Sequence, residues 1–445
     1  LKKWFAEEGN TVQKLNQPRK DFLKRLFDRK STPEAEMLKK TMAIFETVKR
    51  NGDEAVKSYT RTFDGVDISH LSIPILMEDF ESRVDGSLKE AITWAAENIR
   101  TFHEKQVPGK NENYTVEVRP GISCGLRYQP IESAGIYIPG GTAPLFSSVL
   151  MLVIPAQLAG CKKIVCCTPP DKNGSVNPVI GYTLAYLGID SVFLVGGAQA
   201  VAAMTYGTES IPRVDKIAGP GNAWVTLAKQ VAFLNGTGID LPAGPSEVAI
   251  LADDSADLSF IAADCLSQAE HGYDSQVLVA TTSERIFNDL IPEITLQLNK
   301  LPRRDMAQHS LEKSYLIYVP NLEDAVNITN LYAPEHLIIQ TRSAGLVSEQ
   351  VTNAGSVFVG SWTPESAGDY ASGTNHTLPT SGNAANTGGV TVKTFMKTMT
   401  TQTITQDGLR ELGPRVVTMA EAEELKAHGE AVRIRLKKLK GNIYE

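Results

Sequence analysis

The spacing of apolar side chains changes along this chain, and the change divides it. Ser31-Thr32-Pro33-Glu34 supplies a capping residue, a proline suited to a first turn and a glutamate, and predicts a helix over about 33–50 that ends near Asn51-Gly52. A second helical pattern covers about 77–106, followed by short alternating strands at Val116–Val118 and Ile122–Tyr128. From Gly135 short β-rich runs alternate with helical stretches. GIYIPGG predicts a strand and Gly-rich turn, 147–160 a helix, KKIVCCTPP a strand, 176–187 a helix, SVFLVGG a strand, AQAVAAMTYG a helix and 216–218 a strand. A comparable series follows: strand 248–252, a helix to Ala269, SQVLVA, a helix to Leu298, SYLIYV, a helix to Leu331, LIIQT and SVFVG. Such alternation implies βαβ units with right-handed crossovers, and two series imply two doubly wound α/β domains. After about residue 390 the pattern turns helical again and ends in one amphipathic helix, AEAEELKAHGEAVRIRLKKL. A terminal arm of this kind packs either on a second subunit or back on its own chain.

Composition narrows the class without choosing a function. With 445 residues, 42% hydrophobic and 21% charged, the chain is long enough for two to four domains and lies far from the signature of disorder. Lysine and arginine total 44 against 51 acidic residues, a net charge of −7 with no segregated basic patch, so nucleic acid is not an expected partner. The longest nearly apolar run, 149–159, is interrupted by Pro155 and Gln157 and falls short of the roughly 20 residues a membrane helix needs. The opening LKKWFAEEGN has no apolar h-region, so no secretory signal is expected. Cys124, Cys161, Cys166, Cys167 and Cys265 are odd in number and lack CxxC spacing, as expected of reduced thiols in a cytoplasm.

Four of the seven histidines stand in chemically suggestive company. In SQAEHG, Gln268 and His271 are three apart at a helix end that Gly272 stops; the pair is either two metal ligands on one face or a solvated terminus. In YAPEHLI, Glu335 and His336 precede a β run. Neighbours do not share a face in regular structure, so they are either an acid and a base addressing different substrate atoms or an ordinary exposed turn. Asp369 and His376 lie in SAGDYASGTNHTLPTSG, and His428 follows Glu423 and Glu424 on the terminal helix. Together Gln268, His271, Asp369 and His428 would make a mixed N/O shell suited to zinc or manganese, with positions left for substrate. The glycine-bearing elements PGG (139–141), VGGAQA (195–200), AGPGN (218–222) and AGPSE (243–247) allow close backbone approach at a sheet edge. None is GxGxxG with a correctly spaced acid, and GxSxG, Walker A and HExxH are absent.

Taken in order, GIYIPGGTAPLFSSVLM, LVGGAQA, DKIAGPGN, LPAGPSE, LSQAEHG, DSQV, LYAPEHL, GDYASGTNHTLPTSG and LKAHGEAVRIRL resemble the blocks of the histidinol dehydrogenase family over almost the whole chain. One departure is Tyr273 in place of a proline, and it touches no expected ligand. The resemblance implies a homodimer with two Rossmann-like domains of a type related to aldehyde dehydrogenases and helical arms that embrace the partner. The boundaries expected are an N-terminal helical arm over 1–31, a first Rossmann-like domain from 32–134 with 247–390, a second, NAD-binding one over 135–246, and a C-terminal dimerisation arm over 391–445.

The resemblance also implies one Zn²⁺ per subunit on Gln268, His271, Asp369 and His428, the last from the other subunit. Those four, with Ser246, His336, His376 and Glu423, are the implied substrate contacts, and Tyr137, Gln199 and Asn222 the implied NAD⁺ contacts. The implied reaction is L-histidinol, two NAD⁺ and water going to L-histidine and two NADH in the last two steps of histidine biosynthesis. His336 is the expected base for the hydroxyl proton and Glu335 the group that activates water for the second oxidation, with no cysteine involved. A zinc hydrolase using Glu335 as base would share these ligands and need no nucleotide, and a non-catalytic metal-binding relative would keep them without turnover.

Overall fold

The computed structural model describes residues 12–29, 35–140, 144–241 and 244–441, so the expected Ser31–Glu34 cap lies outside the described residues. Fifteen strands occur among the described residues, in chain order β1 (Gln13–Asn16), β2 (Ser72–Pro74), β3 (Tyr114–Arg119), β4 (Ile122–Pro130), β5 (Ser133–Tyr137), β6 (Lys163–Thr168), β7 (Ser191–Leu194) and β8 (Lys216–Ala218). They continue as β9 (Gly238–Ile239), β10 (Glu247–Ala252), β11 (Gln276–Thr281), β12 (Tyr315–Tyr318), β13 (His336–Gln340), β14 (Ser356–Val359) and β15 (Met396–Ile404). The chain forms two compact units, one of residues up to Gln106 with Ile131–Phe395, the other of Val107–Pro130 with Met396–Glu445.

The larger unit contains the two doubly wound sheets that the alternating pattern implies. The first has the order β2-β7-β6-β5-β8-β9, parallel except for β2. Its central β5 is buried at every position, as a parallel strand covered on both faces must be. The longest apolar run falls in the helix Phe146–Ala159, where Val149–Ile154 are wholly or almost wholly buried. It is apolar all round because it is packed all round. Among the described residues no helix is long and apolar enough to cross a membrane. All five cysteines are free, and burial pushes the Cys166 thiol up to about 12.

The second sheet, β1-β12-β11-β10-β13-β14, is parallel throughout. Alternation along β10 sends Val248, Ile250 and Ala252 into one core and Ala249 and Leu251 into the other. Ile250 is fully buried, so Ile250→Ala is expected to destabilise the chain by about 2–5 kcal/mol, read as a lower denaturant midpoint.

The chain departs from the sequence expectation in several places. β2 pairs antiparallel with β7, and the helix Ala35–Phe63 packs on helices Gly197–Tyr206 and Ala223–Leu234, so these segments join the 135–246 sheet and not the 247–390 one. β1, inside the expected helical arm, is the edge strand beside β12 and precedes a short helix, Lys20–Leu26. Gly52, with φ +50, kinks the helix where an end was expected. The long helix expected over 77–106 is interrupted, because the Asp85 carboxylate accepts the Ser87 N–H and starts a new helix at Gly86.

In the smaller unit β15 lies antiparallel to β4 over nine residue pairs, with β3 on the far side of β4. The expected helical tail thus begins with a strand. The single terminal helix expected is two, Gln406–Ala422 and Lys426–Gly441, packed together. Glu424 turns left-handed at φ +60, and the Leu425 N–H donates back to the Ala420 carbonyl at 2.8 Å.

Candidate active site

Glu335 and His336 enter the second sheet at the amino end of β13. Ala333, left-handed at φ 49, ends the helix Leu322–Tyr332, and Pro334 then feeds the chain inward. The two side chains are 5% and 3% exposed, which rules out an ordinary exposed turn. Glu335 Oε2 accepts the Glu247 N–H at 3.0 Å, so β10 fixes the carboxylate. His336 Nδ1 lies 3.3 Å from the Glu247 carbonyl, 3.4 Å from Glu365 Oε1 and 3.8 Å from Glu335 Oε2. Its Nε2 faces the other way, 3.5 Å from Asp369 Oδ1.

Crowding sets the protonation tendencies. Burial pushes the Glu335 carboxyl up to about 8, although His336 opposes it. For His336 burial alone would favour the neutral ring, but the carboxylates of Glu365, Glu335 and Asp369 raise it to about 10. Glu247 is pushed up to about 7 by burial against the pull of Arg29, which forms an ion pair with it and donates to the Tyr332 carbonyl.

Beside this pair the helix Glu365–Tyr370 presents Glu365 and Asp369, four apart, on one face. Ser366 Oγ lies 3.1 Å from Ser267 Oγ, tying that helix to the end of Leu258–Ala269, where Gln268 is wholly buried. His271, just past that end, brings Nε2 to 3.7 Å from Asp369 Oδ2. The His376 ring is bonded through Nδ1 to the Asp369 carbonyl at 2.9 Å and lies 3.3 Å from Ser148 Oγ through Nε2. Ser246 is half-buried immediately before β10, and its carbonyl accepts the Gln276 N–H at 3.2 Å.

These groups fit a cation. His271, Glu365 and Asp369 each offer a ligand atom, and the three atoms lie within 4.8 Å of one another. Both amide atoms of Gln268 and both oxygens of Glu365 are buried without a hydrogen-bond partner. A buried polar atom left unpaired costs about 1–3 kcal/mol, a cost that a metal or a ligand at this point would offset. Glu365 is the member that sequence reasoning misses; its only signal is the four-residue spacing to Asp369 behind Pro364. Glu423 and His428 belong to the smaller unit, Glu423 at the end of its first long helix and His428 in the first turn of its second, both exposed.

A second feature lies at the carboxyl edge of the first sheet. From β5 the chain builds to one side through β6 and β7, then returns to place β8 on the other, so the crevice between the ends of β5 and β8 is a topological switch point. Tyr137 ends β5, and its Oη accepts the Gly197 N–H at 3.1 Å. Gln199 folds over the same glycine, where a Cβ would come within 2.8 Å of its Oε1. Gly219, after β8, has φ +140, and a Cβ there would meet the Tyr137 carbonyl at 2.2 Å. Asn222 accepts the Trp224 and Val225 N–H groups, each at 3.1 Å, and starts the next helix. Tyr137 at the end of β5, Gln199 in the first turn of the helix after β7 and Asn222 at the cap of the helix after β8 therefore lie at this carboxyl edge. Burial pushes the Tyr137 phenol up to about 12, so it stays neutral.

Two doubly wound sheets, one with a glycine-rich switch-point crevice and one with a buried imidazole among carboxylates, define a two-sheet α/β enzyme. The chain belongs to the histidinol dehydrogenase family, whose sequence profile it matches over residues 27–436. It is 50% identical over 419 residues to a histidinol dehydrogenase of Bacteroides thetaiotaomicron, covering 91% of this chain and 97% of that one. It is 44% identical over 435 residues to that of Escherichia coli, covering 97% and 99%. The crystal structure of histidinol dehydrogenase from Elizabethkingia anophelis superposes with a TM-score of 0.92 at 45% identity, covering 98% of this chain and all of the other. Membership makes the protein an oxidoreductase of histidine biosynthesis.

Proposed function

We propose that the protein oxidises L-histidinol through L-histidinaldehyde to L-histidine, consuming two NAD⁺ and one water. The observation that carries this reading is the buried Glu335–His336 pair beside a set of orphaned N and O donors. Gln268, His271, Asp369 and the partner subunit's His428 would hold zinc, with Ser246, His376 and Glu423 contacting substrate. Tyr137, Gln199 and Asn222 would contact NAD⁺. Zinc there would supply a Lewis-acid anchor for the substrate's nitrogen donors and positive charge against the carboxylates around His336, and NAD⁺ would supply the hydride acceptor.

The chain's own residues move the protons. Glu365 and the Glu247 carbonyl hold His336 at Nδ1, leaving Nε2 to take the substrate hydroxyl proton and later that of the hydrate. The Glu335 carboxylate, fixed by the Glu247 N–H, takes a proton from the water that hydrates the aldehyde. No thiol takes part in this scheme. Cys166, Cys167 and Cys265 are buried with their thiols pushed up, far from the thiolate character of a nucleophile. Their freedom from disulfides supports a reducing, cytoplasmic location, and a homodimer would bring His428 to the site.

An NADH assay with L-histidinol, run before and after chelation, tests the reading. Chelation is expected to abolish turnover and histidinol binding while leaving NAD⁺ binding largely intact, because Gln268, His271 and Asp369 lie on elements that follow strands of the second sheet, whereas Tyr137, Gln199 and Asn222 lie at the ends of strands of the first. Full activity of a verified metal-free protein, or no NADH from histidinol at all, would overturn it.

A further inference from the structure

Away from the carboxylate cluster, one ion pair among the described residues is completely buried. Lys229 Nζ lies 2.6 Å from Asp240 Oδ1, with the two side chains 1% and 0% exposed. Removing two charges from water is costly, and such a pair is weak grounds for stability by itself. What distinguishes this one is its third partner. Lys229 Nζ donates to the Gly219 carbonyl at 2.9 Å, and Asp240 Oδ2 accepts the Gly219 N–H at 2.8 Å. A single glycine is therefore gripped at both its donor and its acceptor.

Gly219 is the residue at which the chain leaves β8, at φ +140 and in contact with the Tyr137 backbone. The loop that follows, Pro220-Gly221-Asn222, has no regular structure until Asn222 caps the helix Ala223–Leu234. Lys229 projects from that same helix, and the Asp240 N–H donates at 3.1 Å to the carbonyl of Ile217, in β8. The pair thus ties the strand end, the loop and the helix into one rigid piece.

We propose that Lys229 and Asp240 are positioning residues for the dinucleotide: by clamping Gly219 they hold the 219–222 loop in its receiving shape and so set NAD⁺ affinity from beneath. This rests on the reading that the loop receives NAD⁺. A preformed loop has less conformational freedom to lose when the cofactor arrives, and loss of the clamp returns that cost to binding.

The test uses the zinc-loaded enzyme and Lys229→Met/Asp240→Leu, which removes both charges together and leaves neither unpaired. NAD⁺ affinity is measured by titration calorimetry, with KM for NAD⁺, KM for histidinol, zinc content and melting temperature alongside. The dissociation constant and KM for NAD⁺ are expected to rise by about tenfold or more, with histidinol KM and zinc content unchanged. A folded double variant that binds NAD⁺ within twofold of the wild type overturns the inference, and so does an equal loss in every parameter, the mark of a merely structural role. If the double variant does not fold, Asp240→Asn, whose amide oxygen can accept from only one of Lys229 Nζ and the Gly219 N–H and leaves a donor facing the other, is expected to weaken NAD⁺ binding about three- to fivefold, and no change there overturns the inference equally. Wild-type protein that binds no NAD⁺, or Asn222→Ala without effect on its binding, would instead refute the nucleotide site itself.

Discussion

Glu335→Gln is expected to slow oxidation of histidinaldehyde by about 10²- to 10⁴-fold, the usual contribution of a general acid–base group, while the first hydride transfer from histidinol suffers far less. The substitution is isosteric and keeps a carbonyl oxygen where Oε2 accepts the Glu247 N–H, so the fold of β10 and β13 is retained. What disappears is the only charge the side chain can use to take a proton from water. His336→Asn is expected to harm both oxidations, because the alcohol and then the hydrate must each lose a proton at Nε2. Single-turnover NADH formation from histidinol, and separately from histidinaldehyde, resolves the two steps without reliance on the overall rate. Equal losses in both for Glu335→Gln, with zinc content and folding unchanged, would show that the two neighbours do not divide the work.

That division is partly legible in the amino-acid sequence. Glu335 and His336 precede a run of β-formers, and a residue entering a parallel sheet at the amino end of a central strand is buried by its neighbours on both sides; β10 and β14 flank β13 here. The βαβ alternation is legible for the same reason, since each parallel strand reads as a continuous apolar run. Elements whose character comes from a distant partner are not legible. β15, MKTMTTQTI, holds four threonines in nine residues but has mostly exposed positions and no buried apolar face, and becomes a strand because β4, far back in the chain, offers an antiparallel edge. β1, QKLN, has no β-branched residue and is a strand only against β12. Glu365 escapes notice because a glutamate after a proline reads as the first turn of a surface helix. Its complete burial comes with packing against the helix Leu258–Ala269, a contact across about a hundred residues that no local pattern encodes.

Mixed dimers made from His428→Ala and His271→Ala subunits are expected to be active although each parent is inactive. The motivation is that Gln268, His271, Glu365 and Asp369 gather in the larger unit, whereas His428 is exposed on the helix Lys426–Gly441 of the smaller one. If each site draws His271 from one chain and His428 from its partner, a mixed dimer holds one site with both residues intact and one with neither. Random reassortment of equal amounts makes half the dimers mixed, each with one working site of two, so roughly a quarter of wild-type specific activity should return. A site built from one chain alone gives a different result, because every subunit then carries one of the two lesions and no pairing repairs it. Separating the mixed species by differently sized affinity tags and assaying it directly removes any dependence on exchange efficiency. Mixed dimers shown to form, supplied with saturating zinc and still inactive, would place both histidines of each site on the same chain and end the shared-site reading.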